Sequence, residues 1–93
     1  TVTQLGSELI LDQTRSQAVV QVADQIKAQA GNIGLEFEKL AELMADLKSI
    51  DAQLDSPRPK TVIVKECLRS IKETLEGRGL DDSLAKISGL LGE

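Results

Sequence analysis

Leu40-Ala41-Glu42-Leu43-Met44-Ala45-Asp46-Leu47-Lys48-Ser49-Ile50-Asp51-Ala52-Gln53-Leu54 is the stretch on which the fold turns. Its aliphatic residues recur at steps of 3 and 4, the spacing of one helix face. At about 100° per residue, Leu40, Leu43, Leu47, Ile50 and Leu54 fall within an arc of about 80°. Met44 and Phe37 widen that stripe on one side, and Glu38, Glu42 and Asp46 lie largely opposite. The spacing predicts an amphipathic helix over about 35–55.

Outward from this helix, the chain is punctuated by turn chemistry. Asp55-Ser56-Pro57-Arg58-Pro59 stops one helix and can open the next, because Pro is tolerated in a first helical turn. Val64, Leu68, Ile71 and Leu75 then share a line flanked by Cys67 and Ile63, an arc of about 140° that predicts a helix over about 58–76 touching more than one neighbour. Val62-Ile63-Val64 favours a strand by propensity alone, but the longer periodicity decides for helix. Gly77-Arg78-Gly79 and Asp81-Asp82-Ser83 supply a stop and new N-cap residues, and Leu84, Ile87, Leu90 and Leu91 predict a short helix over about 82–91. Upstream, Val19, Val22, Ala23, Ile26 and Ala30 form a third stripe running into the Gly31-Asn32-Ile33-Gly34 turn. That helix is drawn over about 8–30, starting between 8 and 14 with Ser7 a candidate cap. Ser7–Leu11 could instead form a short strand, but the helix is the favoured reading.

Composition narrows the functions available. The 93 residues suit one domain and contain no His, Trp or Tyr, one Phe and one Cys. Without His there is no imidazole base, no Ser-His-Asp triad and no commonest metal ligand. A lone Cys67 makes no intrachain disulfide, and a lone aromatic makes no stacking platform for single-stranded nucleic acid. The net charge of −4 argues against binding nucleic-acid phosphates. No apolar run approaches the roughly 20 residues that cross a bilayer, and the first residues, Thr1-Val2-Thr3-Gln4, show no basic region of a secretory signal. A chain opening on Thr1 reads as trimmed or excised from a longer one. A cytoplasmic protein without cofactor, metal, nucleic acid or membrane is the expectation.

Charge patterning suggests how the two central helices pair. Residues 35–55 carry a net −4 and residues 58–78 a net +3. An acidic helix followed by a basic one should fold back as an antiparallel hairpin, although each exposed pair contributes only about 0.2–1 kcal/mol. Lys65, Arg69 and Lys72, with Arg58 near the same azimuth, are accordingly read as facing the acidic helix rather than as an anion patch. Glu38, Glu42 and Asp46 at i, i+4, i+8 read as a solvated face, since one helix face rarely supplies the six or more oxygens calcium takes. Cys67 reads as a small buried hydrophobe. Neither Gly-rich turn has the spacing of a phosphate loop.

Aliphatic residues left over from the stripes, namely Leu5, Leu9, Ile10, Leu11, Val20, Leu35 and Val62, exceed what three slim helices are expected to cover. A twofold dimer would bury them.

The segment Ala52-Gln53-Leu54-Asp55-Ser56-Pro57-Arg58-Pro59, followed by Leu68-Arg69-Ser70-Ile71-Lys72-Glu73-Thr74-Leu75-Glu76-Gly77, gives residues 40–91 their most recognisable pattern. It resembles a helical C-terminal module of uncharacterised bacterial proteins: acidic Leu-rich helix, Ser-Pro-x-Pro turn, basic amphipathic helix, Gly break, short Leu-rich end. The resemblance implies an accessory, oligomerising module and carries no catalytic residues.

The expected fold is therefore all-α: an antiparallel three-helix bundle (about 8–30, 35–55 and 58–76) with a short fourth helix (about 82–91) and coiled-coil-like packing. The packing or interface residues are Leu40, Leu43, Leu47, Ile50, Leu54, Val64, Leu68, Ile71 and Leu75. The expected role is non-catalytic, with a second copy or another protein as partner. An adaptor or inhibitor with an open apolar groove is the alternative, and an enzyme built on carboxylates and lysine is a remote third.

Overall fold

Asp12 sets where the first helix begins. In the computed structural model, which describes residues 3–93, the Asp12 carboxylate accepts the Arg15 backbone N–H at 2.9 Å, capping α1 (Gln13–Gln29). One turn of 3₁₀ helix (Ala30–Asn32) follows, and Gly34, at φ +77°, turns the chain into α2 (Phe37–Asp55). α2 ends because Ser56 precedes Pro57 and is held extended at ψ 145°. Both prolines sit in the turn rather than inside a helix. α3 (Thr61–Leu75) starts two residues beyond Pro59, later than the position near 58 drawn from sequence. Val62-Ile63-Val64 is helical. After Gly77 and Gly79, α4 (Asp81–Leu91) opens on two carboxylates and closes in a Schellman motif. There, Gly92 N–H donates to Gly89 C=O and Glu93 N–H to Ser88 C=O.

The four helices form an all-α bundle. α2 and α3 make the most extensive contact, α3 also packs on α4, and α1 bridges α2 and α4. α4 is thus a full member that closes the ring, more than an appendage to three helices. The radius of gyration, 12.4 Å, is that of a well-packed chain of this length (about 12 Å). The core is aliphatic throughout: Val19, Val22 and Ile26 from α1, Leu43, Leu47 and Ile50 from α2, Val64, Leu68, Ile71 and Leu75 from α3, and Ile87 and Leu90 from α4.

α1 begins at Gln13, at the late end of the 8–14 range, so the helix drawn from about residue 8 is shorter than expected and Ser7 caps nothing. Residues 3–12 run as an extended strap across the bundle, with an isolated antiparallel bridge between Ile10 and Lys60. Leu11 N–H donates to Pro59 C=O (2.9 Å), Thr61 N–H to Leu9 C=O (3.1 Å) and Leu5 N–H to Leu90 C=O (2.8 Å). The strap buries Leu5 and Leu11 completely or nearly so, each worth about 1.5–3 kcal/mol before entropy. Two of the surplus aliphatics that argued for a dimer are therefore covered within the chain.

Candidate functional site

The nine residues singled out from sequence are mostly interior. Leu43, Leu47, Ile50, Val64, Leu68, Ile71 and Leu75 are buried, and Leu40 and Leu54 are half-buried against the same core. They hold the chain's own helices together, which leaves them unavailable as a surface for another molecule.

The acidic–basic pairing holds at one point, where Arg78 donates to Glu36 at 3.1 Å just outside both helices, while the basic stripe of α3 pairs elsewhere. Lys65 Nζ donates to the strap carbonyl of Gly6 (3.0 Å), and Lys72 and Arg69 reach Glu93 at 2.9 and 3.7 Å. No ion pair joins α2 to α3 among the described residues. The reason is angular. Lys65, Arg69 and Lys72 project from the flank of α3 that faces the strap and the C-terminus, while Cys67, Ser70 and Thr74 lie on the α2 side. The polar link across the α2–α3 seam is instead the Ser70 hydroxyl, which donates to the carboxylates of Asp46 and, at 3.4 Å, Glu42. Burial pushes the Asp46 carboxyl above its usual range, against the lowering effect of the Ser70 hydrogen bond. Cys67 is buried in the same seam, and burial, with Asp46 nearby, raises its thiol pKa. No group of three or more carboxylates or thiols with metal-binding geometry occurs among the described residues.

A second polar network ties α1 to α4. Gln25 donates to Asp82 and Ser83, Ser83 donates to Gln29, and Lys86 donates back to Gln25. Every one of these donors has an acceptor in the bundle itself, so the network is structural.

Two surfaces carry the exposed large apolar side chains among the described residues. The first is a groove of about 300 Å³ between the strap and the first turns of α3, lined by Gly6, Glu8, Leu9, Thr61, Val62 and Lys65 among others. Leu9 is 70% exposed and Val62 62% exposed there. Beneath it, the Thr61 hydroxyl is buried without a hydrogen-bond partner. The second is the outer face of α2, where Phe37 is 84% and Met44 38% exposed. Sequence reading had joined both to the core stripe. They sit about 40–60° beyond its edge, far enough round the helix to face solvent. Ala41, Ala45 and Ala52 are exposed on the same side. No helix is long and apolar enough to cross a membrane among the described residues.

Comparison with protein-family models, with curated proteins and with solved structures gave no match. The all-α bundle and its two apolar surfaces are what define the chain.

Proposed function

We propose that this domain is a non-catalytic protein–protein interaction module that acts by self-association. The observation that carries the reading is Phe37. The chain's only aromatic stands 84% exposed on a helix whose opposite face is fully packed. An aromatic ring is the most costly side chain to leave in water and a frequent anchor of interfaces. The resemblance of residues 40–91 to an accessory helical module fits the same role. A single free thiol fits the reducing cytoplasm.

The open groove beside Leu9 and Val62 favours a second reading, an adaptor that receives an apolar segment of another protein. Solution mass separates the two. Light scattering or sedimentation of the isolated chain from micromolar to millimolar concentration should show a monomer passing into a dimer. A monomer throughout that range overturns self-association and leaves the groove as the working surface.

A further inference from the structure

We infer that a second copy of this chain docks antiparallel along the outer face of α2, with a twofold axis between Met44 and Ala45. This rests on the self-association reading and specifies the surface and register that reading leaves open. Phe37, Ala41, Met44, Ala45, Lys48 and Ala52 fall within an arc of about 100° on the side of α2 away from the core. They form a strip about 22 Å long, at about 1.5 Å per residue. Centred between residues 44 and 45, an antiparallel twofold sets Phe37 level with the partner's Ala52 and Lys48 level with the partner's Ala41, and brings Met44 beside the partner's Met44 and Ala45 beside the partner's Ala45. The small side chains of Ala41, Ala45 and Ala52 along one edge of the strip let the two backbones approach closely. A parallel arrangement would set Phe37 on Phe37 and Lys48 on Lys48, crowding the first pair and opposing like charges in the second.

Charge supports the reversed register. Lys48 lies in the middle of the strip and makes no ion pair within the chain, and neither does Glu38, among the described residues. In the antiparallel register each Lys48 comes within a turn of the partner's Glu38, while the two copies of Glu38 stand about 20 Å apart along the axis. Both Lys48–Glu38 pairs therefore form across the twofold. One helix pair of this length buries less than the roughly 1,200–2,000 Å² of a standard stable interface, so the dimer should be weak and concentration-dependent.

The test combines cross-linking with solution mass, in the full chain with Cys67 replaced by Ser. Ala45→Cys lies beside the twofold, where Cα separations across a close helix pair fall in disulfide range. It should form a covalent dimer under mild oxidation, while Ser7→Cys on the strap should not. Phe37→Glu, which alters a side chain already in water, should keep the helical circular dichroism and raise the dimer dissociation constant at least about tenfold. Lys48→Glu should weaken the dimer, and adding Glu38→Lys should restore it. A dimer that persists in Phe37→Glu, or cross-links at Ser7→Cys but not at Ala45→Cys, overturns this surface while self-association survives. A monomer at every concentration, with no cross-linking in either variant, overturns both.

Discussion

α2 and α3 are adjacent, similar in length and equally well marked by aliphatic periodicity, yet the bundle treats them differently. Of the 15 residues of α3, seven are buried, because α2, α4 and the strap enclose it. Of the 19 residues of α2, three are buried, because only α3 and α1 lie against it and its remaining side faces water. The wide apolar arc of α3 belongs to a helix with several neighbours. The narrow stripe of α2 belongs to an edge helix, and its extra apolar residues lie outside that stripe. Two helices can thus carry comparable hydrophobic content and put it to different use, one inward and one outward.

The contrast can be broken most severely at the seam the two helices share. Leu47→Asp buries an unpaired carboxylate against α3 and should cost more than about 4 kcal/mol, abolishing the cooperative thermal transition seen by circular dichroism. Retained helicity with an unchanged melting curve would contradict the core assignment. Leu5→Ala should remove one wall of the α3 enclosure and cost about 2–5 kcal/mol in urea denaturation. Hydrogen exchange should quicken at the Leu11 and Thr61 amides, which the strap protects, and not within the middle of α2. A smaller effect of opposite sign is expected from Thr61→Val. Its hydroxyl is buried without a partner, so replacing it with a methyl should stabilise the protein by about 1 kcal/mol.

The smallest effect comes from the surface ion pairs. Arg78 holds Glu36 below the usual carboxylate range, and Lys72, with Arg69 beyond it, does the same for Glu93. Hydrogen bonds from Gln25 and Lys86 lower Asp82, and the Arg15 backbone N–H lowers Asp12. A carboxyl whose pKa is lower in the folded state stabilises the fold above its unfolded pKa and loses that contribution as pH falls through the folded value. Stability should therefore decline gently as pH drops below about 4. Asp46 works the other way, since burial raises its pKa. Its cost is present at neutral pH and relieved on protonation, so Asp46→Asn should make the acid decline start from a higher plateau and fall more steeply.

Sequence made the bundle legible where regular spacing repeats long enough to be read. The stripes of α1, α2 and α3 and the Leu-rich end of α4 announce helices through that spacing. The strap was not legible for a physical reason: Leu5, Leu9, Ile10 and Leu11 have no period of their own. Burial of Leu5 and Leu11 holds the strap, and its course is set by hydrogen bonds to the backbone of Pro59, Thr61 and Leu90, groups that every sequence possesses and none displays. The direction of the basic stripe was misread because net charge per helix says nothing about azimuth. Lys65 and Arg69 turn toward Gly6 and Glu93, partners distant in sequence. The outward face of α2 was hidden within the core stripe that the spacing drew. Phe37 and Met44 lie just past the edge of the stripe, and only the placement of the neighbouring helices decides on which side of the waterline such residues fall.

The buried thiol of Cys67 makes the chain its own opening gauge. It sits in the α2–α3 seam with its ionisation disfavoured, so attack by a thiol reagent is slow until those two helices part. The rate of labelling, followed against denaturant, thus reads out how often this one joint breathes, with no residue introduced for the purpose.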